Sequence, residues 1–327
     1  RPSMLRLLVG AQTCRLLQLA PAQFSRQWLH ACHRHNAARV ACYSSTPPCP
    51  EPAALLRRAL KRMERQADTK PAVVVNELSE LMVTFLSHRS GHSVDPEDWN
   101  NIISEIDALC TVLQERCGKL SATQCAKAIH AICTLARRDR RLENMLSGCK
   151  ALAALADEVL KPQKVAVLTG QEVGTILWAF GRVRGLDPTL RNRLCEALSA
   201  RLQEEAVLKA TTAKAFANIA HGLGKMRFNP DPNPLKALGQ WVRREEVVAK
   251  LTAQGVSNIA WAYASLRVGD PELFKALAIH AMQIIGTFNS QTVSVVAWSY
   301  ATISIKNEGL MGALAERVMT PDVMQKV

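Results

Sequence analysis

In "VSNIAWAYASLRVGDP", which begins at Val256, apolar residues fall at Val256, Ile259, Ala260, Tyr263 and Leu266. That is the i, i+3, i+4, i+7 spacing of one face of a helix. The same pattern returns in "VSVVAWSYATISIKNE" from Val293 and in "VGTILWAFGRVRGLDP" from Val173. A periodic apolar face that recurs along one chain is the mark of a repeat array. The units align on His130, Trp178, His221, Trp261 and Trp298, at intervals of 48, 43, 40 and 37 residues. This aligned residue is position zero below, and the units are numbered 1 to 5.

The polar positions punctuate the pattern. Nine residues before position zero stand Ser121, Thr169, Thr212, Thr252 and Asn289. Each carries a side-chain oxygen that accepts from the unpaired N–H groups of a first helical turn. Gln124 and Glu172 complete capping boxes in units 1 and 2. The residue before the cap and the fourth after it form hydrophobic staples in every unit but the third, where Thr211 breaks the column. After position zero come Asp139, Asp187, Pro230, Asp270 and Asn307, with Pro188 and Pro271 directly following two of them. A capping Asx with proline in the first turn starts a second helix; in unit 3 Asp231 takes that role. Each unit therefore predicts helix A, a short loop and helix B. The expected fold is all-α, an α-solenoid of antiparallel helix pairs over residues 120–327.

Residues 71–119 read as a degenerate, acidic capping pair, "AVVVNELSELMVTFL" followed by a helix after Asp95-Pro96. Residues 46–70 read as a linker and a basic helix. The segment "MTPDVM" repeats staple, cap and first turn at Met319, Thr320 and Pro321, so the pattern predicts that the chain stops inside a further repeat.

On a helical wheel, positions −5, −2, −1, +2 and +5 of helix A are apolar and must bury against helix B. Positions −4, +1 and +3 are small, as in Gly174, Ala179 and Gly181, or Ala217, Gly222 and Gly224. Small flanks let consecutive A helices approach closely. A strip remains, made of positions −7, −3, 0 and +4. It holds Lys127 in unit 1; Gln171, Thr175, Trp178 and Arg182 in unit 2; and Lys214, Asn218, His221 and Lys225 in unit 3. Gln254, Asn258 and Trp261 follow in unit 4, and Gln291 and Trp298 in unit 5. Varied amide, hydroxyl and cationic side chains around an aromatic, at fixed places in stacked units, are what base-reading repeat proteins present to single-stranded RNA. These residues are the candidate RNA contacts. Two blander roles stay open: the tryptophans pack between repeats, and the strip is a solvated face.

Charge refines this picture. The formal net charge is +13, but residues 1–70 and 120–327 each carry +9 while residues 71–119 carry −5. The first 50 residues hold six arginines, no lysine and no acidic residue. An Arg-rich, acid-free leader is the signature of an organellar transit peptide, here expected over residues 1–45, with mitochondrion as the first destination and plastid as the alternative. No unbroken apolar run is long enough for a transmembrane helix, and no membrane insertion is expected. The ten cysteines form no C-x-x-C pair and no metal-type spacing with histidine, so reduced thiols and no metal or other cofactor are expected. Basic clusters at Arg137–Arg141 and Arg184–Arg193 either hold phosphates or keep the surface soluble.

The phrases "LTGQEVGTILWAFGRV" and "LTAQGVSNIAWAYASL", each followed by Asp-Pro, resemble the helix A motif of octotricopeptide repeats. They are also similar to the heptatricopeptide repeats of proteins with FAST-kinase-like and RAP domains. The resemblance covers about residues 120–318. It implies an organelle-targeted α-solenoid that binds messenger or ribosomal RNA and serves transcript stability, processing, translation or ribosome assembly. A protein-binding scaffold of the armadillo or HEAT kind is the alternative. No Gly-rich phosphate loop, H-E-x-x-H helix or nucleophile elbow is present, so no enzymatic activity is expected.

Overall fold

The computed structural model describes residues 75–76, 96–136, 140–147, 149–230 and 233–324. The expected transit peptide, the linker and basic helix, most of the first helix of the degenerate pair, and the caps Asp139 and Asp231 lie outside the described residues. Every regular element among the described residues is a helix, and the helices stack in chain order as an α-solenoid. Helix α1 (Pro96–Arg116) forms where the second helix of the expected capping pair was placed. The A helices are α2 (Ala122–Leu135), α6 (Gly170–Phe180), α9 (Ala213–Lys225), α12 (Ala253–Ser265) and α14 (Ser290–Thr302).

All five expected caps form. The side chains of Ser121, Thr169, Thr212, Thr252 and Asn289 accept from the backbone N–H three residues on, and both capping boxes close. Helix B follows as α7 (Pro188–Arg201), capped by Asp187, α13 (Pro271–Gln283), capped by Asp270, and α15 (Glu308–Val318), capped by Asn307. In unit 3 the cap of helix B is Asn233, ahead of α10 (Pro234–Val242), and not Asp231. Proline at Pro234 needs no amide partner, so the first turn starts there. In unit 1 helix B is broken into α3 (Arg140–Ser147) and α4 (Lys150–Val159), which accounts for that unit's long interval.

The two-helix unit needs a further correction. A short third helix precedes the next helix A: α5 (Pro162–Val165), α8 (Glu205–Lys209) and α11 (Glu245–Val248). In unit 4 the 3-10 turn Ile285–Thr287 takes this place. Val165, Leu208, Val248 and Ile285 occupy one column four residues before the next cap. At the far end α16 (Pro321–Met324) begins after Thr320 as expected, but Met319, read as its staple, is 41% exposed.

The most extensive packing joins helix A of each unit to helix A of the next. Glycines make this possible. A Cβ on Gly222 would lie 2.5 Å from the carbonyl of Leu177 in the preceding unit. One on Gly224 would lie 2.9 Å from the Trp261 ring in the following unit. The broken staple in unit 3 has the same logic, since Thr211 fills the space left by Gly170. The apolar face of helix A is buried as expected, with Val256, Ile259, Ala260 and Tyr263 at 0% exposure. Tyr263 and Tyr300 donate hydroxyls to the carbonyls of Leu235 and Phe274 in the preceding unit's helix B, at 2.5 and 2.6 Å.

A clasp recurs at the start of helix A. The carbonyl just before the cap accepts from a side chain at the far end of helix B. Arg201 Nε donates to Leu168 at 2.9 Å and Arg317 Nε to Phe288 at 2.8 Å. His280 Nε2 lies 2.8 Å from the Leu251 oxygen; a carbonyl only accepts, so that nitrogen carries the proton. In unit 1 Lys164 of α5 donates to Leu120 and also pairs with Glu158 at 2.6 Å. Burial pushes the Glu158 carboxyl up, but hydrogen bonds from Lys161 and Lys164 outweigh it and hold the group below its ordinary range.

Helix A ends by one device in units 3 to 5. Arg227, Arg267 and Ser304 take left-handed φ values of 53°, 55° and 58°. Their N–H groups bond to the carbonyls of Gly224, Ala264 and Ala301, each at 3.2 Å. The next N–H groups reach back to Leu223, Tyr263 and Tyr300 at 3.1, 2.9 and 3.1 Å. This is the Schellman motif, which glycine usually serves. In unit 2 helix A stops earlier, at the Gly181 cap, and Gly185 takes φ 69° in the loop beyond it.

Candidate nucleic-acid interface

The strip predicted on helix A reaches the surface in all five units. Its −7 column, Thr123, Gln171, Lys214, Gln254 and Gln291, is exposed throughout. Column −3 is exposed at Lys127 and half-buried at Thr175, Asn218, Asn258 and Val295. Position zero is half-buried in every unit, and in column +4 Lys225 and Ser265 are exposed while Thr134, Arg182 and Thr302 are half-buried. Because consecutive A helices pack side by side, the strips adjoin as one ridge. The ridge carries four Lys or Arg residues and no carboxylate.

The aromatic column is not a row of bare platforms. His130 faces Trp178 at a ring-centroid distance of 5.4 Å, and His221 faces Trp261 at 5.2 Å. The Arg182 guanidinium lies 4.1 Å from the Trp178 centroid, and Lys225 Nζ lies 4.8 Å from that of Trp261. Cations over indole faces are held by the ring quadrupole. Units 1 and 2, and units 3 and 4, are thus joined through their position-zero rings. Packing between repeats is what these two tryptophans do in this structure, while their outer parts stay accessible. No ring or cation contact is seen for Trp298 among the described residues. Burial, then the charges of Arg182 and Lys214, push the His130 imidazole below its ordinary value.

Some polar members of the strip are already engaged. Gln171 Nε2 donates to the hydroxyl of Thr212, the next unit's cap, at 2.6 Å, and the Thr175 hydroxyl donates to the Gln171 carbonyl at 2.8 Å. The side chains of Lys127, Lys214, Gln254 and Gln291 make no hydrogen bond or ion pair among the described residues. The basic cluster after helix A of unit 2 is partly neutralised by unit 1: Arg184 pairs with Glu143 at 2.9 Å and Arg193 with Asp157 at 3.0 Å. Arg140 and Arg141 of the other cluster are exposed on α3. Sequence reasoning missed Arg227 and Arg267, both exposed at the ends of their A helices; their signal was a cation six residues after position zero in three successive units, the first being Arg184.

Six described cysteines are free thiols. Cys125, Cys133 and Cys195 have raised pKa values, chiefly through burial. No group of three or more His, Cys, Asp or Glu side chains among the described residues is arranged to hold a metal ion. No described helix is long and apolar enough to cross a membrane.

Fold and ridge together define a helical-repeat protein with a basic, aromatic-bearing surface along its A helices. The sequence model of a protein family, RNA-editing substrate-binding complex 6 protein (RESC6), matches residues 241–326. The match spans the last part of unit 3 and units 4 and 5. It makes this region similar to a family named for a complex that binds RNA-editing substrates. No curated protein sequence matched the chain.

Proposed function

We propose that this chain is an organelle-targeted helical-repeat protein that binds single-stranded messenger or ribosomal RNA and catalyses no reaction itself. The observation that carries the reading is the ridge: amide, hydroxyl and cationic side chains exposed at matching places on five adjoining A helices, with no carboxylate among them. A polyanion with unstacked bases suits that chemistry better than a protein partner does. An armadillo- or HEAT-like protein scaffold would be expected to present a more apolar or mixed-charge face. The RESC6 match and the resemblance to octotricopeptide repeats point the same way. The Arg-rich leader supports a mitochondrial address, with plastid as the alternative. Within that reading the protein acts in transcript stability, processing, translation or ribosome assembly.

The test is to crosslink the protein to RNA in intact organelles and sequence what is recovered. Reproducible enrichment of particular transcripts or ribosomal segments is expected. Recovery no greater than that of a matched non-binding mitochondrial protein overturns the reading.

A further inference from the structure

Units 3 and 4 end helix A on an arginine held in a conformation that arginine rarely takes. Arg227 and Arg267 are the left-handed residues of successive Schellman motifs. Both are exposed, and neither side chain makes a hydrogen bond, ion pair or ring contact among the described residues. The turn itself does not ask for a cation: serine serves it in unit 5. The helix dipole does not ask for one there either. A cation in the last helical turn, as Lys225 already supplies in unit 3, meets the C-terminal carbonyls without backbone strain.

The backbone of this turn is also spent. The N–H groups of Arg227 and Phe228, and of Arg267 and Val268, all bond to carbonyls of their own helix. The turn therefore offers no amide nest to an anion. Any anion held here is held by the guanidinium, whose planar fork matches phosphate oxygens. The two arginines come from A helices that pack directly together, beyond the end of the strip that carries Asn218, His221 and Lys225, and Asn258 and Trp261.

We propose that Arg227 and Arg267 are phosphate clamps, which hold the sugar–phosphate backbone of single-stranded RNA along one edge of the ridge and leave its bases to the strip. The inference rests on the RNA-binding reading above. It divides the surface into a positioning edge and a base-facing strip, as phosphate contacts position and base contacts specify.

The test compares the full chain with the double variant Arg227→Gly/Arg267→Gly. The probes are a fluorescein-labelled single-stranded oligouridylate and a mixed-sequence oligoribonucleotide of equal length, titrated over a salt series. Glycine relieves the left-handed strain, so Tm is expected to stay level or rise. Affinity for both probes is expected to fall several-fold at low salt. The slope of log affinity against log salt should become shallower by about 1.4, since each phosphate contact on a single strand contributes about 0.7. Arg227→Lys/Arg267→Lys should keep the slope. Lys236→Gln/Lys275→Gln, which removes equal charge from helix B, should keep it too. An unchanged slope in the glycine variant overturns the clamp, as does an equal loss in the helix B variant, or a fall in Tm that tracks the loss of binding. If the wild-type chain binds the probes and only the slope prediction fails, the clamp falls alone. If the wild-type chain binds neither probe, the RNA-binding reading falls with it. Uptake on anionic vesicles that is lost in the glycine variant, with RNA affinity intact, assigns the arginines to a membrane surface and overturns the clamp.

Discussion

Gly222 sets how closely two repeats approach. Its absent Cβ would meet the Leu177 carbonyl at 2.5 Å, and that neighbour is backbone of a packed helix, which does not yield cheaply. Gly222→Ala gains about 1 kcal/mol of helix propensity but is expected to lose about 2–3 kcal/mol or more through overpacking. Gly312, inside α15, has open space where a methyl group would sit, with nothing within 4 Å. Gly312→Ala should therefore stabilise by up to about 1 kcal/mol. Urea unfolding measures both, and changes of the same sign would show that close approach is not what Gly222 is for. The columns of small residues were legible in the sequence because they recur at fixed helical spacing. The tryptophan column was legible too, but not its neighbours: Trp178 against His130 is a contact between units, which depends on how far one helix slides past the next. His130 also carries a pH dependence. Its imidazole is pushed below its ordinary 6.5, first by burial and then by Arg182 and Lys214. The unfolded chain then binds the proton more readily, so this contribution is present above pH 6.5 and is lost as pH falls through the folded value. Between pH 6.5 and that lower folded value His130→Gln should flatten the fall of Tm with acid; parallel wild-type and variant profiles would remove His130 from the account.

Among the elements, what the sequence announced were the starts of helices. A cap, its box and its staple are local chemistry within a few residues, and all five A helices begin where that chemistry places them. The short third helix was harder to read. Segments of four or five residues such as α5 and α8 are too brief for periodicity to register, although the column of Val165, Leu208, Val248 and Ile285 marked them. The clasp was harder still, because its partners lie 33 residues apart in unit 2 and 29 in units 4 and 5. It gives each helix A a second anchor, on the carbonyl that precedes its cap. Arg201→Met removes the donor to the Leu168 carbonyl while keeping most of the apolar stem. A cost of about 1–3 kcal/mol is expected for leaving that group unsatisfied. Arg201 also pairs with the exposed Glu204, and Glu204→Gln should cost no more than a few tenths to about 1 kcal/mol. Equal losses in the two variants, measured by urea unfolding, would move the role from the carbonyl to the surface ion pair.

At the scale of the whole molecule, each unit touches chiefly its neighbours, so the ridge is assembled by translation and no distant loop completes it. That is why the strip could be read from one chain: a surface made by repetition is written at every period. What repetition does not reveal is which strip members remain available. Gln171 is drawn to the cap of the next unit, and two of the three tryptophans meet a neighbour's ring. The amides at column −3 of units 3 and 4, Asn218 and Asn258, are half-buried, in register and on adjoining helices. Their side chains offer both donor and acceptor, the pairing a base edge requires. Asn218→Ala/Asn258→Ala should leave the slope of affinity against salt as it is, because no phosphate contact is removed. It should instead narrow the gap between preferred and non-preferred RNA sequences, by roughly 1–3 kcal/mol for each amide–base pairing removed, taking the scale seen for base-edge pairs in DNA. Competition binding with a randomised pool of oligoribonucleotides measures both quantities. An altered salt slope with unchanged preference would put these asparagines on the backbone, and no change in either would take them out of the interface.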